Sequence, residues 1–318
     1  MITLEFVYWI MGLMVAGVAI VNLRDRTNPK RYNNAIFWGL YAASYLVGSR
    51  LPDFANGLIV IGMVLVLTIG KLGGAPPEEA TRAEREASAA RWKNLLFIPA
   101  LAIPAVTVFG NIVFKKLNIG GVPLVDPKQV TLISLGVATV VALIVGLVLL
   151  RAPLISPVVE SRRLLDAVSW AAVLPQTLAA LGAMFALAGV GPIVAQILQR
   201  WIPLDTPFAV VATYTVGMAL FTTIMGNAFA AFPVMTAAIG LPLIVGKFGG
   251  NVVVMAAVGM LSGFCGTLMT PMAANFNIVP VALLELPDSN AVIKTQIPTA
   301  ILLLIANTAI MYFGVFRK

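Results

Sequence analysis

Apolar residues run along this chain in long unbroken blocks, and the charged residues collect between them. Phe6 to Leu23 is 18 residues without a charge, close to the roughly 20 that a helix needs to cross a hydrocarbon layer. Blocks of the same kind cover Tyr32–Ser49, Phe54–Gly70, Asn94–Phe114 and Val130–Leu150, and each predicts a membrane helix. A sixth begins near Leu164–Asp166 and runs to about Val190, with Trp170, Pro175, Gln176 and Thr177 inside it. The stretch GPIVAQILQRWIPLD that follows is too short and too polar for a full span, which predicts an interfacial or re-entrant segment. Two longer runs come next. Thr206 to Gly246 is 41 charge-free residues and Phe248 to Leu284 is 37, each nearly enough for two crossings. A last helix is expected over Pro298–Phe316.

The charges between the blocks orient them. Arg24, Arg26, Lys30 and Arg31 against the lone Asp25 place the first loop inside and the N-terminus outside. Arg151, Arg162 and Arg163 mark a second inside connection, and Arg317-Lys318 an inside C-terminus. Lys115, Lys116 and Lys128 in an external loop run against that trend. Outside-to-inside termini require an odd number of crossings, and about nine is the working count. The N-terminal stretch MITLEFVYWI has no basic region before its apolar run, so it reads as a first span rather than a cleaved leader. Lys71–Lys93 is the one soluble segment: Pro76 and Pro77 stop a helix, and Glu78, Glu79, Glu84 and Glu86 nearly balance Lys71, Arg82, Arg85, Arg91 and Lys93. It predicts a solvated cytoplasmic linker with a short exposed helix. The organisation is therefore N-terminal spans in 1–70, a linker in 71–93, further scaffold spans in 94–163, and a C-terminal module in 164–318.

Composition agrees with this pattern and narrows the chemistry. Of 318 residues, 60% are hydrophobic and 11% charged, against roughly a quarter charged in soluble domains. The expected fold class is an all-α polytopic membrane protein with discontinuous or re-entrant helices in its C-terminal half. The net charge of +8 is spread among the spans as topology signals, so no nucleic-acid partner is expected. No histidine and a single Cys265 leave no His/Cys metal site of transition type, no disulfide framework and no Ser-His-Asp or Cys-His machine. An enzyme is not expected.

The chemistry that remains sits in the two long runs. The first contains Thr222-Thr223-Ile224-Met225-Gly226-Asn227, and the second Ser262 through Asn277, with Gly266, Thr267, Thr270, Pro271, Asn275 and Asn277. Gly-Asn favours a departure from helix, and Pro271 removes a donor and disfavours helix at Thr270. A broken backbone at membrane depth needs protein or water to satisfy its freed groups. Exposed helix N-termini suit an anion, while freed carbonyls with Asn and Thr oxygens suit a small hard cation. The same residues also serve as packing and hydrogen-bonding glue between helices. Gln176 and Thr177 are equally divided between lining a cavity and packing. Lys247 reads as a snorkelling interfacial lysine, Cys265 as a small apolar filler, and Glu285 and Asp288 as solvated. With no titrating group in the C-terminal spans, sodium coupling is favoured over a proton relay there.

GNAFAAFPVMTAAIGLP followed by GFCGTLMTPMAANFNIVPVALLEL resembles the C-terminal region of a bacterial membrane-protein family associated with pyroglutamate (5-oxoproline) uptake and related to the ion-transporter superfamily of carboxylate carriers. The similarity extends from RRLLDAVSW to the C-terminus and more loosely over the whole chain. The resemblance implies a multi-pass protein of the bacterial inner membrane that works beside a second, smaller membrane subunit. It also implies that Gly226 and Asn227 form a hairpin or break tip, and that Gly266, Thr267, Thr270 and Pro271 form an unwound helix. Gly-Asn-Ala-Phe stands where many relatives carry a Ser-Asn-Thr-like triplet. Only one pair of breaks is evident, so a partner subunit or a second copy would supply the other half of the site.

Two functions follow as expectations. In the first, the chain is a subunit of a secondary transporter for a small carboxylate, with a C-terminal module that shifts as a body. Thr223, Gly226, Asn227, Gly266, Thr267, Thr270, Pro271 and Asn275 would then face the substrate, and Asn227, Thr267 and Asn277 a sodium ion. In the second, it is a structural or assembly subunit without substrate contact. A third reading, a membrane-embedded enzyme, lacks any visible acid, base or metal site.

Overall fold

The computed structural model describes residues 1–70, 72–73, 81–119, 121–284 and 286–317. Lys71, Pro76, Pro77, Glu78, Glu79 and Glu285 lie outside the described residues. The chain separates into two compact units, Met1–Asp166 and Ala167–Lys318.

The first unit is built from helices that the charge pattern brackets. α1 (Leu4–Arg24), α2 (Arg31–Val47), α3 (Asp53–Leu65, continued as a π-helical turn to Gly70), α5 (Phe97–Phe114) and α6 (Val130–Leu150) occupy the five apolar blocks. Between the third and fifth lies α4 (Arg82–Trp92), an exposed polar helix. Thr81 and Glu84 cap it reciprocally at its N-terminus. Neighbouring spans pair antiparallel. Gly12 of α1 meets Leu46 of α2, Gly62 of α3 meets Leu40, and Gly110 of α5 meets Ser134 of α6, small residues that let membrane helices approach closely.

The two ends of α1 are tied differently. At the start, Ile2 donates to the Leu124 carbonyl and accepts from Asp126 N–H, at 2.7 and 3.0 Å. This pins the N-terminal segment beside a short hairpin, β1 (Asn118–Ile119) and β2 (Val122–Pro123). At the other end, segments 25–30, 72–73 and α7 (Ser156–Val168) gather around polar side chains.

The second unit departs from the expected spans at its start. The sixth block is divided: α7 ends at Val168, and α8 (Leu174–Leu187) begins with a proline in its first turn. Gly189, in left-handed backbone, then turns the chain into α9 (Val190–Trp201), bent 73° from α8. Proline fixes where α8 starts and the glycine where it ends, so Leu164–Val190 does not form one straight helix. The 41-residue run forms two antiparallel helices, α10 (Pro207–Met225) and α11 (Ala228–Met235), the latter continuing as a π-helix over Thr236–Lys247. Pro233 and Pro242 withdraw backbone donors from this second arm, and the wider winding follows where they do. The 37-residue run forms α12 (Val252–Thr267) and α13 (Ala274–Leu283), and α14 (Ala291–Val315) closes the unit. α14 starts before the expected Pro298 because a proline is tolerated within a membrane helix when neighbours satisfy the freed carbonyl.

Burial runs opposite to that of a water-soluble protein. Asn22, Asn34, Thr215, Thr222, Ser262 and Asn277 are fully enclosed, whereas Leu154, Leu187 and Ile69 are more than four-fifths exposed. Only 6% of the apolar window of α3, and the same share of the helical stretch containing α5, is covered within the chain, apolar surface that suits a lipid bilayer. The chain is a multi-pass, all-α membrane protein. Seven helical stretches of the described residues are long and apolar enough to cross, or eight with the bent α8–α9 pair, fewer than the nine expected. At 17 residues α2 is short, and α12 and α13 reach full length only when taken together.

One contact tests the packing of the second unit. Gly182 of α8 lies so close to Ala230 of α11 that a Cβ would collide with its backbone. Gly182→Val is expected to lower the thermal stability of the detergent-solubilised protein by about 1–3 kcal/mol. Gly39→Ala, where nothing lies within 4 Å of a new Cβ, leaves stability unchanged. Equal melting temperatures for the two variants would show that α8 does not pack here.

Candidate functional site

α10 and the α11 arm form a helical hairpin. Lys247 at its open end bonds to the Leu204 carbonyl at 3.2 Å and to Asp205 at 3.4 Å. Higher up, Tyr214 meets Thr236 at 3.2 Å, and Gly217 lies against Met235. At the closed end sit Gly226 and Asn227. Gly226 has φ +74° and ends α10, its N–H returning to the Thr222 carbonyl at 2.7 Å. A side chain there is disfavoured twice: the backbone is left-handed, and a Cβ would meet the Met272 carbonyl at 2.6 Å. Asn227 starts α11, its Oδ1 accepting from Phe229 N–H at 2.8 Å.

α12 packs on α10 through Gly259, Gly263 and Gly266, spaced four and three residues apart on one face. They rest against Tyr214, Met218 and Ala219. α12 stops at Thr267 for a reason visible in the chain. In a continuing helix the Thr267 carbonyl would accept from residue 271, and Pro271 has no N–H. Asn277 makes good the loss. Its Nδ2 donates to the Thr267 carbonyl at 2.8 Å and to the Thr270 carbonyl at 2.6 Å. The side chain of Thr270 accepts from Met272 N–H at 3.2 Å, and Thr267 Oγ1 donates back to Phe264 at 2.6 Å.

The hairpin tip thus stops against the gap between α12 and α13, with Gly226 on Met272. Two helix C-termini (α10, α12) and two N-termini (α11, α13) converge there. At this junction two enclosed polar atoms have no hydrogen-bond partner among the described residues, Thr222 Oγ1 and Asn277 Oδ1. Both flank Gly266–Thr267: Thr222 touches the position of a Gly266 Cβ, and Asn277 holds the Thr267 carbonyl. An unpartnered buried group costs about 1–3 kcal/mol. The amide's orientation is fixed by its two donor bonds, which leaves its oxygen without a partner among the described residues.

Of the residues singled out in the sequence, the fold brings together Thr223, Gly226, Asn227, Gly266, Thr267, Thr270 and Asn277. Thr223 Oγ1 lies 2.9 Å from the Ala219 carbonyl and 3.4 Å from that of Gly266. Pro271 and Asn275 are exposed. Asn275 is two residues from Asn277 and therefore points elsewhere on α13. Thr177 bonds back to its own helix, Asp288 pairs with Lys294 at 2.8 Å, and Cys265 receives the Asn307 amide at 3.5 Å. Sequence reasoning named Thr222 within the first run without assigning it to the site, and its hydroxyl is distinguished from that of Thr223 only by the helix face it occupies. Sequence reasoning also missed a second polar group in the first unit, formed by Asp25, Arg162 and Asp166; Asp25 and Arg162 read as topology charges, and Asp166 as the start of the sixth span.

The role of Asn277 is testable apart from any ligand. Asn277→Leu strands two buried carbonyls and is expected to cost about 1–3 kcal/mol in thermal unfolding. Asn275→Leu, on the exposed side, is expected to cost nothing measurable. A reversed order would remove Asn277 from the junction.

No curated protein and no solved structure matches the chain. One family does, described as a protein of unknown function (DUF979), and the match runs over residues 5–316. With nearly its whole length matched, the chain belongs to the DUF979 family of proteins of unknown function.

Proposed function

We propose that this protein is a subunit of a secondary transporter for a small carboxylate, with 5-oxoproline as the first candidate substrate. The observation that carries the reading is the meeting of two helix interruptions at Gly226 and Met272, beside the unpartnered Thr222 Oγ1 and Asn277 Oδ1. Helix N-termini favour negative charge, so the starts of α11 and α13 suit a carboxylate. The carbonyl ends of α10 and α12, with neutral Asn and Thr oxygens, suit a cation such as sodium. No ionised side chain occupies the junction's stretches 222–227 and 262–277, so recognition would rest on dipoles and neutral hydrogen bonds. A lactam ring with one carboxylate offers matching groups: an anion for the N-termini, and an N–H and a C=O for the amide and hydroxyl side chains.

In this reading the protein sits in a bacterial inner membrane and works with a second membrane subunit or a second copy, since one hairpin tip and one interrupted helix form half of a symmetric enclosure. Nine crossings result if α2 and the interrupted α12–α13 pair traverse the bilayer along with the seven long stretches, and α8–α9 turns back. Loops 25–30 and 72–73, which share hydrogen bonds in the first unit, then lie on one side as the positive-inside pattern requires.

The competing reading is a structural or assembly subunit, favoured by the way Asn277 by itself satisfies the carbonyls at the break. Counterflow of labelled 5-oxoproline into proteoliposomes, with and without the partner subunit, separates the two. Thr222→Val keeps the shape of the side chain and removes the hydroxyl. It is expected to lower uptake at least about tenfold, the equivalent of about 1.4 kcal/mol, and Asn227→Ala and Thr267→Ala are expected to alter sodium dependence. Unchanged uptake and sodium dependence in all three variants would leave the structural reading standing.

A further inference from the structure

The first unit encloses charge. At the end of α1, Asn22 and Asp25 face Asn34 and Trp38 of α2 and Arg162 and Asp166 of α7. Arg162 and Asp166 are 5% and 8% exposed, so Arg162 is not a solvated flanking charge. The Arg162 guanidinium bonds to Asp25 Oδ2, and its Nε lies 3.6 Å from Asp166 Oδ2. Asp166 Oδ1 accepts from Trp38 Nε1 at 2.7 Å and from Asn22 Nδ2 at 3.3 Å. Its Oδ2 is enclosed and has no hydrogen bond among the described residues.

Among the described residues, the elements packed around Asp166 bring the following charges. α7 contributes Arg162 and, through it, the loop after α1 contributes Asp25. Asn22 of α1 and Trp38 and Asn34 of α2 are neutral. Arg24 and Arg26 on either side of Asp25 are exposed, and Arg163 of α7 pairs with Glu160 at 2.9 Å. Lys30 Nζ reaches the Leu72 carbonyl at 3.4 Å. It connects to Asp166 only through Gly73, Asn34 and Asn22. Two carboxylates therefore share one guanidinium, Asp25 part-exposed and Asp166 buried, and with both ionised the group carries an excess negative charge, which burial disfavours at Asp166. A proton on one carboxylate removes it.

The two carboxylates differ in fitness for that proton. Asp25 accepts from the Thr27 hydroxyl at 2.6 Å and the Thr27 N–H at 2.9 Å, besides Arg162. The Thr27 hydroxyl first, then its N–H and the guanidinium, hold the Asp25 acid down at about 2. Asp166 lies on α7, which is not among the spanning helices, and burial pushes its acid above the ordinary carboxylate range.

We propose that Asp166 is a proton-binding site, taking up a proton on Oδ2 and releasing it to water, and that its charge governs how firmly Arg162 holds α7 to α1 and α2. Ionised, Asp166 draws on Arg162 together with Trp38 and Asn22. Protonated, it leaves Arg162 and Asp25 as a balanced pair and frees α7 on one side. Asp166 is the last residue of the first unit, so the helix it restrains is the one through which the chain passes into the second. The inference does not depend on the transport reading: it concerns a binding event in the first unit that exists whether or not the second moves a solute.

The linkage has a definite sign. Between the ordinary value of 3.8 and the raised one, the folded protein binds more protons at Asp166 than the unfolded chain, so stability falls as pH rises through that window. Asp25 acts oppositely, losing its contribution only as pH falls toward about 2.

Infrared difference spectra of the full chain in lipid nanodiscs, titrated from acid to neutral pH, read the site directly. The expected result is a carboxylic-acid carbonyl band that disappears with a midpoint above that of an ordinary aspartate. The band is absent in Asp166→Asn. In Trp38→Phe, which loses a hydrogen bond favouring the carboxylate, its midpoint moves higher still, and this variant carries the test if Asp166→Asn does not fold. A titration confined to the ordinary range, or a band unaffected by Trp38→Phe, would overturn the proposal. So would a midpoint that shifts with sodium concentration, because a metal cation would then neutralise the cluster.

Discussion

Inside a bilayer no water waits to bond a freed peptide group, so each interruption of a helix has to be answered by another part of the protein. The Thr267 carbonyl shows how this constraint shapes the second unit. Its helical partner would be the N–H of residue 271, which proline lacks, and the amide of Asn277 takes that place while also holding the Thr270 carbonyl. Fixing these two carbonyls fixes the turn from Leu268 to Ala273, and with it Met272, the residue against which the hairpin tip is seated. A bulkier residue at 226 would push the tip off its seat. The close face formed by Gly259, Gly263 and Gly266 brings α12 near enough to α10 for the two interruptions to share one level.

The same constraint separates what was readable in the chain from what was not. Charged residues bracket the first five apolar blocks, and α1, α2, α3, α5 and α6 end within a few residues of those brackets because charge at membrane depth is costly. The block from Leu164 to Val190 misled because its composition is apolar enough for a span, while the proline opening α8 and Gly189 act on geometry that composition does not register. Asn277 was recognisable as polar in an apolar run, and its reason is local: residue 271 stands four places after Thr267. Thr222 carried no such mark, since its neighbour Thr223 has the same chemistry and only the packing of α12 distinguishes them. Asp25 and Arg162 are 137 positions apart, so no local pattern joins them, and each looks like a topology signal when read alone.

Among the described residues, two groups of enclosed polar side chains are answered in opposite ways. In the second unit the junction is neutral: backbone carbonyls, an amide and hydroxyls, with two acceptors left over. In the first it is ionic: two carboxylates and a guanidinium, with one carboxylate oxygen left over. A neutral junction can accept and release a charged solute without stranding a charge of its own, because dipoles keep their orientation when the solute leaves. An ionic cluster behaves otherwise. Its net charge has to be balanced at every moment, and a proton is the smallest species that can do so without opening the packing. The scarcity of charge along the chain thus has a consequence beyond membrane insertion: where a buried carboxylate and a part-exposed one share one buried guanidinium, they form a place where protonation has leverage on a helix.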